Sequence, residues 1–147
     1  LLVLQFPLWW SGVPAILKGW MDRVLAYGFG YADGLRYETG VFRGRRAVVS
    51  LTTGGPPARF GFDAPYGDLH SQVLWQVRHS VLEYLGYEVE PPFVSFAAPR
   101  VGSDERQAYL DDFSRLLVET AAKPVDRSLG NDSPLDGVPD GAWARNR

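Results

Sequence analysis

Apolar and polar positions along the chain fall into short unbroken blocks and longer periodic ones. Leu1 to Phe6 (LLVLQF) is a nearly continuous apolar run. Such a run fits a parallel strand covered on both faces, whereas a strand with one wet face would alternate. After a loop, Ile16, Leu17, Trp20, Met21, Val24 and Leu25 recur at helical spacing, with Lys18, Asp22 and Arg23 on the other side. This predicts an amphipathic helix from about Pro14 to Ala26, with Pro14 tolerated in the first turn. Arg46 to Thr52 (RAVVSLT) predicts a second buried strand. Asp68 reads as an N-cap whose side chain accepts from orphan backbone N–H groups. The helix behind it spans Leu69 to Leu85, with Val73, Leu74, Val77, Val81, Leu82 and Leu85 as its stripe. Gly86 is placed to end it in a left-handed conformation. Tyr87 to Ala97 predicts a third strand, and Pro91 and Pro92 put its first half at an edge or outside the ladder. Ser103, Asp104 and Glu105 open a last helix, with Tyr109, Leu110, Phe113, Leu116 and Leu117 as its buried face.

The order β-α-β-α-β-α predicts an α/β fold, a parallel sheet with right-handed crossovers and helices on both faces. Three strands make a small sheet with one side uncovered. The chain opens on Leu1 inside a strand-like run, and its single methionine is Met21, so a preceding part is expected to be missing. From about Lys123 the composition turns to Pro, Gly, Asp, Asn and Arg. The expected division is a domain over 1–122 and a disordered tail over 123–147.

Composition narrows the chemistry. Net charge is −2 with Lys and Arg scattered, which argues against a nucleic-acid or anionic-membrane surface. The absence of Cys removes disulfides, thiolate catalysis and Cys-ligated metals. His70 and His79 stand nine apart, which is no metal-ligand spacing, and no metal site is expected. No apolar run approaches the ~20 residues of a membrane span. There is no GxSxG elbow, Walker loop or GxGxxG, and Asp22, Asp63 and Asp68 form no evident carboxylate pair.

The loops carry more. Gln5 to Trp20 (QFPLWWSGVPAILKGW) puts Trp9 and Trp10 between a strand and a helix, where open α/β sheets place ligands. They are either core anchors or one wall of a site. The second strand ends in Thr52-Thr53-Gly54-Gly55, either a tight turn or a ligand loop whose backbone can approach closely. Together the two loops suit a flat, hydrogen-bonding heterocycle such as a flavin ring, with aromatic contact on one side and backbone donors on the other. The segment 27–44, rich in Gly and Tyr, is expected to be an ordered loop, and 56–67 carries Phe60, Phe62 and Tyr66.

QFPLWWSGVPAILKGWMDRV, GFGY at Gly28 to Tyr31, TTGG at Thr52 to Gly55 and the GD before the next helix closely resemble NAD(P)H:quinone oxidoreductases of the DT-diaphorase type. The resemblance covers about Leu1 to Val118. It implies a flavodoxin-like, three-layer parallel sheet, incomplete here, with three β-α units and the first two strands of the family missing. It implies a cytoplasmic homodimer that binds FAD, or FMN, and passes two electrons as hydride from NAD(P)H to a quinone. Leu8, Trp9, Trp10 and Ser11 would lie along the isoalloxazine, with Thr52, Thr53, Gly54 and Gly55 at its other edge. Gly30, Tyr31 and Ala32, with Trp10 and Tyr66, would line the nicotinamide and quinone pocket near a subunit boundary.

Two positions depart from the family's mammalian members, which carry a Tyr and a His on the second loop. Phe60 stands at the first and cannot donate a hydrogen bond; Tyr66 stands at the second and is a poor proton shuttle at neutral pH. Flavin reduction is therefore expected to lean on the backbone N–H groups of Gly54 and Gly55, with Tyr66 the available hydroxyl and Phe60 beside the cofactor. The family's flavin-phosphate loop precedes the strand at Leu1, so weak flavin affinity and an exposed sheet edge are expected of a truncated chain. The other reading is a non-catalytic ancillary subunit of the potassium-efflux type, or an inactive truncated product.

Overall fold

The computed structural model of the chain describes residues 1–126 and Ser128. β1 (Leu2–Pro7) pairs in parallel with β2 (Arg46–Thr52), with Leu4 opposite Val49 and Phe6 opposite Leu51. The far side of β2 carries two short strands in line, β3 (Glu88–Val89) and β4 (Phe93–Ser95), both parallel to it. They replace the single third strand expected from the sequence. Pro91 and Pro92 have no N–H to donate, so the ladder breaks across them and resumes at Phe93.

One face of the sheet presents Leu4, Phe6, Ala47, Val49 and Leu51, all buried. Two helical elements cover it: α1 (Ala15–Val24) and α2, which spans 69–83. The opposite face, with Gln5, Ser50 and Thr52, is covered by α3 (Ser103–Ala122), whose Phe113 ring lies 5.0 Å from that of Phe93. The arrangement is three-layered and parallel, as the alternation predicts.

Three details differ from the periodicity. Of the six apolar positions on α1, Met21 is buried and Leu17 and Leu25 pack on the core, but Ile16, Trp20 and Val24 face outward. Six apolar residues on so short a helix cover more than the stripe one sheet face can bury. On α3, Leu110 is exposed and the others in the expected face are only half-buried. The third difference is in α2, which is not a uniform α-helix. Leu69–Val73 and Arg78–Glu83 are wide π-type turns flanking a single α turn at Trp75–Val77. The signature is a set of five-residue bonds, Leu74 N–H to Leu69 O at 2.8 Å and Tyr84 N–H to His79 O at 3.1 Å among them.

Both ends of α2 behave as the sequence predicts. Asp68 accepts from the N–H groups of His70 and Ser71 at 3.1 and 2.8 Å. Gly86 sits at φ 97°, with its N–H on Glu83 O and that of Tyr87 on Leu82 O, a Schellman closure. The segment 27–44 is ordered by the same helix end. Its Tyr37 and Phe42 N–H groups donate to the orphan carbonyls of Tyr84 and Leu85 at 2.8 and 2.9 Å. Gly40 is wedged there: a Cβ on it would stand 2.5 Å from the backbone of Leu85 and Gly86.

Past α3, Lys123 bonds the Glu90 carboxylate at 2.7 Å, and Arg46 donates to Pro124 O at 2.6 Å. Apart from these first residues and Ser128, the expected tail lies outside the described residues.

Candidate functional site

The carboxyl ends of β1 and β2 lie side by side, tied by the Leu8 N–H to Thr52 O at 2.9 Å. Beyond Leu8 the chain turns back at once. Trp9 and Gly12 exchange backbone bonds at 3.1 and 2.9 Å, leaving Trp10 and Ser11 at the tip. Both tip residues have positive φ, 49° and 57°, the arrangement of a type I′ turn. Glycine or asparagine usually fills such positions, and a bulky aromatic at positive φ is strained by about 1–3 kcal/mol. The Trp10 side chain is 98% exposed and Trp9 60%, so neither anchors the core. A strained turn that holds two indoles in water has no packing explanation. Strain of this kind collects at ligand sites.

The loop after β2 is held by its carbonyls. Thr53, 3% exposed, donates its N–H to Ser95 O and accepts at its own carbonyl from the Ala98 N–H, each at 3.0 Å. The Gly55 carbonyl accepts from the Ala97 N–H at 2.9 Å and from the Thr53 hydroxyl at 2.8 Å. The Gly54 carbonyl accepts from the Arg100 guanidinium. By contrast, the N–H groups of Gly54 and Gly55 donate to nothing among the described residues. Unpartnered backbone donors in a rigid loop are what a ligand carrying carbonyl oxygens and ring nitrogens requires.

Tyr66 lies over this loop. A Cβ on Gly55 would meet its ring at 2.9 Å, so Gly is needed for that approach. Phe60 supports the ring edge-on at 5.5 Å and reaches the core through Phe96 at 5.6 Å. The Tyr66 hydroxyl has no hydrogen-bond partner among the described residues. Arg59 stands over the same ring at 6.0 Å.

The structure thus brings Leu8, Trp9, Trp10 and Ser11 beside Thr52, Thr53, Gly54 and Gly55, with Phe60 and Tyr66 on the second loop. Gly30, Tyr31 and Ala32 lie elsewhere, behind the end of α1. Gly30 and Ala32 are buried, and Tyr31 belongs to a ring cluster with Tyr27 and Tyr84 at 5.6 and 5.7 Å. No hydrogen bond or ring contact among the described residues joins these three to the two strand-end loops. Sequence reasoning missed the turn after β4, which supplies Ala97, Ala98 and Arg100. The one available signal was its position, at the carboxyl end of a third parallel strand.

A cavity of about 690 Å³ opens at the opposite end of the sheet, between Tyr37, Arg46, His79, Glu83 and Glu88. Several of its polar side chains pair within the chain, Arg46 with Glu88 at 3.1 Å and His79 with Glu83 at 2.7 Å, and Arg43 donates to the Gly40 and Glu38 carbonyls. Size alone therefore does not make it the site. No group of acidic or histidine side chains among the described residues could hold a metal ion, and no described helix is long and apolar enough to cross a membrane.

A family model described as flavodoxin-like fold matches residues 1–117. The chain belongs to that family. The flavodoxin-like chain is 40% identical over 139 residues to mouse ribosyldihydronicotinamide dehydrogenase [quinone], covering 95% of this chain and 56% of the mouse protein. Rat NAD(P)H dehydrogenase [quinone] 1 is 35% identical over 146 residues, with 99% and 50% covered. Among solved structures, general stress protein 14 of Treponema denticola in complex with FMN superposes with a TM-score of 0.60 at 29% identity, covering 78% of this chain and 64% of that one. The chain spans about half the length of the curated relatives it matches.

Proposed function

We propose that the protein is a flavin-dependent NAD(P)H:quinone oxidoreductase and that the loops after β1 and β2 form one side of its flavin site. The observation that carries the reading is the pairing of an exposed, strained Trp10 turn with unpartnered Gly54 and Gly55 N–H groups at adjacent strand ends. An aromatic wall beside two open donors fits a flat heterocycle with carbonyl oxygens, and the fold family and the FMN-bound neighbour favour a flavin. FAD is proposed over FMN on the family resemblance. A bound flavin would supply hydride acceptance from NAD(P)H and donation to a quinone.

The chain's own residues have three tasks in this reading. Leu8, Trp9, Trp10 and Ser11 cover one side of the ring system and exclude water from it. Gly54 and Gly55 direct N–H groups at its polar edge, where negative charge accumulates. Tyr66 offers a hydroxyl beside Gly55 and, with Trp10, a surface for the quinone. Gly30, Tyr31 and Ala32 enter the substrate pocket only if a second copy brings them to it. The outward Ile16, Trp20 and Val24 on α1 are an apolar face suited to such a homodimer. A cytoplasmic location belongs to the same proposal and rests on the resemblance alone.

The test is to titrate the full chain with FAD and with FMN, then to supply NADH or NADPH and menadione. A perturbed flavin absorbance and quinone-dependent nicotinamide oxidation are expected. An unperturbed flavin spectrum at saturating protein would remove the reading.

A further inference from the structure

The Gly54–Gly55 peptide differs from its neighbours in what holds it. The carbonyls of Thr53 and Gly55 are held by neutral donors, the Ala98 N–H for one and the Ala97 N–H and Thr53 hydroxyl for the other. The Gly54 carbonyl instead accepts from a guanidinium, that of Arg100, which reaches it from the turn after β4. Arg100 makes no ion pair with a carboxylate among the described residues, so its charge is not already neutralised. In a trans peptide the C=O and N–H point in opposite directions across one rigid plane. Fixing the Gly54 oxygen on Arg100 therefore fixes the Gly55 N–H on the other side, where it has no partner. Gly54 and Gly55 lack side chains that would restrain this plane, so without Arg100 it is the freest in the loop. A charged donor on the oxygen also polarises the amide and strengthens its N–H as a donor.

We propose that Arg100 is a positioning residue for the flavin: it orients and polarises the Gly54–Gly55 peptide so that the Gly55 N–H favours the reduced, anionic flavin over the oxidised one. This rests on the flavin reading above. It would fill a gap left by the second loop, where Phe60 has no donor and Tyr66 is held edge-on against Phe60 and face-on under Arg59. The negative charge of the reduced ring would then be met through a backbone amide strengthened from behind by a guanidinium.

The experiment measures oxidised and reduced flavin affinities and the flavin midpoint potential in the full chain, in Arg100→Gln and in Arg100→Lys. In Arg100→Gln, affinity for reduced flavin is expected to fall about tenfold, in line with loss of a charge-assisted hydrogen bond. Oxidised affinity is expected to fall by less than about threefold, so the midpoint becomes more negative by roughly 15–30 mV for the two-electron couple. Arg100→Lys keeps the charge and should recover most of the shift. Equal losses in both redox forms would mean that Arg100 only braces the loop, and would overturn the proposal. An unchanged potential with flavin still bound would overturn it alone, leaving the flavin reading intact. Failure of the unaltered chain to bind any flavin would remove both.

Discussion

The two ends of the parallel sheet are left in opposite states. At the amino end of β2, charged side chains pair within the chain. Arg46 meets Glu88 at 3.1 Å and Glu90 at 3.3 Å, and Glu90 in turn holds Lys123 at 2.7 Å. The last carbonyls of α2 are taken by Tyr37 and Phe42, and Gly40 and Gly86 touch backbone to backbone. At the carboxyl end, the carbonyls are held but the N–H groups of Gly54 and Gly55 are not, two indoles stand in solvent, and three non-glycine residues, Trp10, Ser11 and Ala97, occupy positive φ, against one, Tyr37, at the other end. One end is closed by contacts within the chain and the other is held in a fixed shape with its donors open. Rigidity at both ends, with open donors at one, is how a scaffold presents a preorganised site.

The closed end can be broken most sharply at Gly40. Its Cβ would meet backbone atoms of Leu85 and Gly86 at 2.5 Å, and backbone cannot rotate aside. Gly40→Ala is expected to cost about 3 kcal/mol or more, read as a fall in urea midpoint. A loss below about 1 kcal/mol would show that the segment 27–44 is not locked to the end of α2. Glu90→Gln comes next. It leaves Arg46 and Lys123 without their shared, largely buried carboxylate, and about 1–3 kcal/mol is expected by the same measurement. A neutral result would mean that Glu88 and solvent suffice for Arg46.

Much of this contrast is legible in the sequence, for physical reasons that can be named. LLVLQF and RAVVSLT admit few alternatives because strands covered on both faces are continuously apolar, and Asp68 and Gly86 mark helix ends by local backbone chemistry. The outward side of α1 is not legible, since periodicity gives the width of an apolar stripe but not which part a sheet covers. The π-type turns of α2 depend on five-residue bonds chosen by packing, and no residue type announces them. The same division applies to the site. WWSG and TTGG are visible as unusual loops, and a type I′ turn with tryptophan at its tip is visible only once φ is known. Arg100 lies 46 residues from Gly54, in a turn with no signature of its own, and only the fold puts them together.

At the open end, stability and ligand affinity should separate. Trp10→Ala removes a side chain that is 98% exposed, so stability should stay within about 0.5 kcal/mol of the parent. Flavin affinity, followed by absorbance titration, is expected to fall about tenfold, since stacked aromatic contact is worth roughly 1 kcal/mol or more. Loss of stability without loss of affinity would reverse the assignment and make the turn part of the scaffold.

The smallest effect tests the shape of the open end rather than its donors. Asp68 caps α2 at the same end of the sheet as the two loops, and its carboxyl is held below its ordinary 3.8. The first cause is the Ser71 N–H, followed by the Ser71 hydroxyl, both of which donate to the ionised form. A group whose folded pKa is lowered contributes stability that is fully present above its unfolded value and is lost as pH falls through the folded one. Urea midpoints should therefore decline below about pH 4 more steeply in the parent chain than in Asp68→Asn, which can still cap but cannot titrate there. Parallel decline in the two would show that the cap adds nothing that acid can remove. The fixed shape of the loop before α2 would then have to come from Tyr66, Phe60 and the carbonyl bonds of Gly55 alone.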